Sequence, residues 1–416
     1  MSRSLAPVAA LLISVSILLT GQGLQGTLLP VRATLENFTT LAIGAMGAAY
    51  FLGFTLGCLK GGELITKVGH VRVFLAMTAL ASASPLVHGL VVTQWSWGVL
   101  RLITGFCFAV IYVVIESWLN ERSTNENRGF VFSTYAMITL TVLAVGQMMT
   151  LLYDPSGMQL FAIASVLVSI AAIPVALSRA QTPEAPLLVE VNLKRLFQIS
   201  PTGTVGCLAT GLVNGSFWAL APVFTQGASG EVALAAWFMT SAVIGGAITQ
   251  WPLGAASDRY GRRFVLVGIV LIGAVASTAL VLLTNGGSFL TINLLGAFWG
   301  TMAFPLYAIS VAFVNDYAEP TEYVDVSSGL LLMYGIGATV GPFIASTLIS
   351  ATDFTGLFLF SGIVYALLAA TALARAIGRR GVMIDEPVAF RRSLAAARTA
   401  SQVYEEEVLQ HPPEEE

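Results

Sequence analysis

Long apolar runs separated by brief polar punctuation dominate the chain, falling at 6–31, 42–64, 73–93, 97–119, 129–152, 158–178, 201–226, 232–256, 264–284, 288–314, 326–350 and 354–377. A run of about 20 apolar residues matches a hydrocarbon core about 30 Å thick at 1.5 Å of rise per residue, so each predicts a membrane-spanning helix. The breaks are charged or turn-forming: Arg32 and Glu36, the basic turn at 67–72, the segment 120–128, Asp154 with Pro155, and the stretch 179–195. The short alternating segments of an outer-membrane barrel are missing from this pattern. The first run continues past Leu19 to Leu29, too long for the apolar core of a secretory signal, and reads as an uncleaved first span.

Assigning basic residues to the connections orients the spans. Of the 20 Lys and Arg, all but Arg32 and Arg101 fall at the amino terminus, in the last few residues of an even-numbered span or in the connection after it, or in the carboxyl tail. The positive-inside rule makes that face cytoplasmic and puts both termini on it. Composition agrees with a multi-pass protein of the cytoplasmic (inner) membrane: 56% hydrophobic and 10% charged residues, with a mean hydropathy of +0.80, exclude an ordinary soluble globule. The net charge of -3 adds nothing to the topology. Cys58, Cys107 and Cys207 lie in apolar segments without metal-ligand spacing and read as packing residues.

The chain also repeats itself. The polar segment Gly254 to Arg263, wedged between two apolar runs, has a fainter counterpart from Gly62 to Arg72. An offset of 195 residues pairs Gly105 with Gly300, Tyr112 with Tyr307, Asn120 with Asn315, and Gly146 with Gly341. Six spans is an even number, so both copies enter the membrane in the same sense. This predicts an all-α integral membrane fold of twelve transmembrane helices in two parallel six-helix repeats, with a solute path between them. The expected organisation is an amino-terminal bundle at 1–178, a cytoplasmic linker at 179–200, a second bundle at 201–378, and a cytoplasmic tail at 379–416.

Charged and polar residues inside the spans are the candidates for function. A buried cation is costly in a membrane, which makes Arg101 the first choice for a substrate or coupling residue. Gln22, Gln25, Tyr112, Asn214, Trp218, Gln250, Trp299 and Tyr307 are further candidates for a cavity wall; each can also serve as helix-packing glue. Glu116, nineteen residues past Trp97 and therefore about 28 Å along its helix, lies toward the cytoplasmic end and is expected to form a charge network with Lys67 or Arg72. No acid falls at mid-depth. In the segment Gly254 to Arg263, read as a short loop, Asp258 can accept hydrogen bonds at a helix amino terminus while Arg259 and Arg262 reach acids across the gap.

These residues carry a resemblance to the major facilitator superfamily, and within it to the YcaD-like subgroup, over residues 1 to about 380. The family's loop signature, Gly-x-x-x-Asp-Arg-x-Gly-Arg-Arg, is met in full by Gly254, Asp258, Arg259, Gly261, Arg262 and Arg263. In the first copy Thr66 stands at the acidic position, Lys67 replaces the first arginine, and His70 and Val71 replace the last two. Arg101 and Gly105 with Ala109 resemble the family's fourth-span motif, and the Gly335 to Pro342 segment resembles a Gly-Pro motif, here in the eleventh span. Val113 to Ser117 and Gln250 to Gly254 resemble the subgroup.

The resemblance implies secondary active transport of a small organic solute by alternating access, with protons as a candidate coupling ion, efflux as a candidate direction, and the loop signature as a gate. The implied partners are a small-molecule substrate and the lipid bilayer; no nucleic acid, no cofactor and no metal is expected, and the protein is expected to be a monomer. A sensor or receptor on the same fold, with the tail as output, is the alternative. An enzyme would need a nucleophile with its base or a metal cluster, and the three histidines, His70, His88 and His411, are scattered over loop, span and tail. A phosphate-binding Gly-x-x-x-x-Gly-Lys-Ser/Thr loop is lacking.

Overall fold

The computed structural model describes residues 9–123, 128–177, 192–319 and 322–378; the expected tail and most of the expected linker lie outside the described residues. Among the described residues there is no strand, and twelve helices are long and apolar enough to cross a membrane. We number them α1 (Ala9–Leu35), α2 (Thr40–Val68), α3 (His70–Leu90), α4 (Gln94–Glu121), α5 (Phe130–Leu151), α6 (Gln159–Ala176), α7 (Pro201–Ser229), α8 (Val232–Tyr260), α9 (Arg262–Leu283), α10 (Phe289–Asn315), α11 (Asp325–Ala351) and α12 (Gly356–Ala374). A short helix, Leu193–Ile199, precedes α7.

Local chemistry sets the helix starts. Thr39, Thr93, Ser200 and Ser288 each accept a hydrogen bond from a backbone N–H in the first turn of α2, α4, α7 and α10, satisfying a donor that the helix leaves free. At the two basic turns the connection is a single glycine. Gly69 joins α2 to α3 at φ 93, and Gly261 joins α8 to α9 at φ 90. A side chain would strain both positions. The segment read as a loop is therefore mostly helix: Gly254 to Tyr260 are the last two turns of α8, and Arg262 already belongs to α9.

Two parallel six-helix repeats are visible in the packing. In the first, α1 packs on α5, α2 on α4 and α3 on α6; in the second, α7 packs on α11, α8 on α10 and α9 on α12. Glycines sit at matching crossings. A methyl group at Gly53 would strike the Leu102 carbonyl and one at Gly105 the Tyr50 carbonyl, so α2 and α4 cross backbone to backbone. Gly245 against Ala297 and Gly300 against Ala242 do the same for α8 and α10.

One kink shapes the centre. α10 breaks at Phe304 because Pro305 has no N–H and its ring crowds the carbonyl four residues back, on Thr301. The hydroxyl of Thr249 on α8 donates to that freed carbonyl at 2.9 Å. The break presents Phe304 to the space between the repeats.

Candidate functional site

Between the repeats lies a cavity of about 530 Å³, lined by α1, α2, α4 and α5 from one side and by α7, α8, α10 and α11 from the other. The remaining four spans contribute no lining residue. The repeats close together at the end opposite the basic turns. There Gly44 meets Pro342 and Ser346, Gly47 meets Ala219, and the Thr240 hydroxyl on α8 donates to Gln147 Oε1 on α5 at 3.2 Å. Toward the other end the lining continues to Gly62, Ser117 and Ser328, near the basic turns.

A hydrogen-bonded chain runs along the first repeat's wall. Tyr112 donates its hydroxyl to Gln22 Oε1 at 2.8 Å, and Gln22 Nε2 donates to the Tyr50 hydroxyl at 2.8 Å. The Arg101 guanidinium carbon lies 4.1 Å from the centre of the Tyr50 ring, a cation–π contact inside the cavity. Gln25, one turn beyond Gln22, is 2% exposed and has neither amide atom hydrogen-bonded. On the facing wall Asn214 is buried with its Oδ1 unpartnered, Trp218 packs on Phe304 at 5.6 Å, and Gln250 borders the cavity from α8.

Seven of the sequence candidates thus line one cavity: Gln22, Gln25, Arg101, Tyr112, Asn214, Trp218 and Gln250. Two do not. Trp299 is buried in the second repeat, stacked on Phe217 at 4.7 Å and donating its indole N–H to Ser277 at 3.2 Å. Tyr307 is turned into the packing beside Tyr334, its ring centre 5.0 Å away. Tyr50 and Tyr334, both lining residues, were not among the candidates, because a single tyrosine in an apolar run carries no spacing signal.

The expected network of Glu116 with Lys67 or Arg72 is corrected. Lys67 Nζ bonds Glu63 on its own helix at 2.7 Å, and Arg72 is exposed. Glu116 is instead buried on the cavity wall, accepting the Tyr135 hydroxyl at 3.3 Å. Its carboxylate is engaged by Tyr135 inside the bundle, while the Lys67 ammonium stays in solvent with Glu63. At the signature segment Arg262 is buried, with Nε 2.6 Å from Asp316 and Nη2 3.2 Å from Asp258. Arg259 is exposed over the neighbouring Tyr260 ring, and Arg263 is half-buried. In the first repeat Thr66 turns its hydroxyl back to the Gly62 carbonyl at 2.9 Å, where α8 has the acid Asp258.

Twelve spanning helices in two parallel repeats around a cavity define a multi-pass membrane transporter. The chain belongs to the Major Facilitator Superfamily, whose family model matches residues 11–230 and 203–392. It is 31% identical over 349 residues to an uncharacterized MFS-type transporter of Enterobacter sp. (strain 638), covering 82% of this chain and 88% of the relative. It is 28% identical over 347 residues to the uncharacterized MFS-type transporter YcaD of Escherichia fergusonii, with the same coverage. These relatives place it in the YcaD-like subgroup. Among solved structures, the nucleoside transporter NupG superposes with a TM-score of 0.73 at 16% identity, covering 89% of this chain and 98% of that one. A bacterial homolog of the human lysosomal transporter Spinster, in an inward-facing and occupied conformation, superposes with a TM-score of 0.73 at 13% identity, over 89% and 96% of the two chains. At those identities the likeness is one of fold. Membrane transport, and not enzymatic catalysis, is the family's function.

Proposed function

We propose that the protein is a secondary transporter of a small organic solute, working by alternating access in the cytoplasmic membrane with both termini cytoplasmic. The single observation that carries this is the asymmetry of the central cavity: the repeats are sealed by Gly44, Gly47 and the Thr240 to Gln147 bond at one end, while the lining runs on to Gly62, Ser117 and Ser328 at the other. The positive-inside rule makes the second end cytoplasmic, so this is an inward-facing state. The bundles 1–178 and 201–378 are the two bodies that rock, and α8 ending in the Arg262 clamp is part of the inner gate.

Counterflow in sealed proteoliposomes, with and without an imposed pH gradient, tests the reading. Trans-stimulated exchange of a labelled solute supports it. Specific binding with no exchange under any gradient would instead support a receptor on this fold.

A further inference from the structure

The cavity holds one feature that packing does not account for. Arg101 stacks a face of its guanidinium on Tyr50, yet its N–H edge has neither an ion-pair nor a hydrogen-bond partner among the described residues. A cation placed in a span without an acid is unfavourable and is found where a pathway or ligand needs it. Among the described residues that line the cavity, the other formally charged side chain is Glu116, fifteen residues along the same helix and about 22 Å of helical rise away.

A second observation points the same way. Gln25 is 2% exposed and borders the cavity with both amide atoms unpartnered, which is costly for a buried amide. It sits one turn from Gln22, the residue that ties down the Tyr50 hydroxyl. A planar fork of N–H donors with an amide one turn beyond the anchoring Gln22 suits a carboxylate, which takes two parallel hydrogen bonds from a guanidinium. Opposite, Trp218 and Phe304 offer an apolar wall and Asn214 an unpartnered acceptor. A volume of about 530 Å³ suits a ligand of small-molecule size.

We propose that the solute is an organic monocarboxylate, its anionic group held by Arg101 and Gln25 and its apolar or aromatic body lying toward Trp218. This rests on the transport reading for the word solute; the recognition itself concerns binding alone.

The test uses acid and amide pairs of one shape: benzoate and benzamide, phenylacetate and phenylacetamide, indole-3-acetate and indole-3-acetamide. Binding to the purified full chain in detergent is followed by thermal shift and calorimetry. At least one acid should bind and its amide should not. Arg101→Gln and Gln25→Leu should weaken that acid by roughly tenfold or more, as the loss of a charge-assisted hydrogen bond does, and Arg101→Lys should retain part of the binding. Gln25→Leu leaves the net charge and Arg101 unchanged, so it reports on recognition even if Arg101→Gln does not fold. Amides binding as well as acids, acids binding Arg101→Gln or Gln25→Leu like the parent, or no acid binding at all would each overturn the proposal. Binding as expected with no counterflow of the same acid would leave the carboxylate site standing and refute transport.

Discussion

Arg262 and Asp316, fifty-four residues apart, meet at 2.6 Å with both side chains almost fully withdrawn from solvent. The first residue of α9 is thereby tied to the residue that follows α10, across the base of the second repeat. Removing one member of a buried pair strands the other's charge. Asp316→Asn is expected to destabilise the protein by about 3 kcal/mol on that ground, measured as a fall in thermal unfolding temperature. Asp258 is more than a third exposed and holds the same arginine at 3.2 Å, so Asp258→Asn should cost less than about 1 kcal/mol. Equal effects of the two substitutions would refute the buried clamp.

The seal opposite the basic turns depends in part on residues without side chains. Gly47 faces the Ala219 methyl across the junction of the repeats, and Gly44 faces Ser346 and the Pro342 carbonyl. Gly47→Val should wedge that end apart and raise the reactivity of a cysteine placed nearby toward an impermeant thiol reagent added from outside. An unchanged labelling rate would place the seal elsewhere.

Thr249 and Pro305 form a testable couple, since the hydroxyl of one serves the carbonyl freed by the other. Thr249→Val should cost about 1–3 kcal/mol by leaving the Thr301 carbonyl without that donor. In Pro305→Ala the carbonyl can regain a helical N–H, so Thr249→Val should cost measurably less there. Additive effects in the double-mutant cycle would show that the two act independently.

At the basic face Arg195 donates Nε and Nη2 to the two carboxylate oxygens of Glu322, at 2.8 and 3.1 Å, fastening the short helix Leu193–Ile199 to the start of α11. The arginine's hydrogen bonds hold the Glu322 carboxyl below its ordinary pKa. A lowered folded-state pKa means that the contact is fully present above the usual carboxylate range and is lost as pH falls through the folded value. Hydrogen exchange of the Leu193–Ile199 amides, measured with the sample held at neutral or at acid pH and corrected for intrinsic rates, should therefore show protection lost on acidification. Glu322→Gln should exchange readily already at neutral pH. A Glu322→Gln chain as protected as the parent at neutral pH would contradict the assignment.

The spans were legible because twenty apolar residues have few other uses, and Arg101, Gln22, Gln25, Asn214 and Gln250 stood out as polar groups that hydrocarbon does not tolerate. Helix ends were less so. Charges at 254–260 read as a loop, yet α8 simply runs on past the apolar stretch until Gly261, where φ turns positive. Trp299 and Tyr307 misled because an amphipathic ring suits a cavity or a core equally well, and only the fold chooses. Glu116 misled for a related reason: its axial position was read correctly as near one end of α4, but the sequence does not reveal that the cavity extends that far.

The central claim is that two bundles rock about a central cavity, and distances between spin labels test it most directly. In a background with Cys58, Cys107 and Cys207 replaced, one label pair goes on the exposed residues Leu41 and Glu231, beyond the seal, and another on the exposed Lys67 and Arg259, at the basic turns. Across bound ligands and imposed gradients, the first distance should lengthen in the conditions that shorten the second. If both distances hold fixed through every condition that supports exchange, the bundles do not rock and the account is wrong.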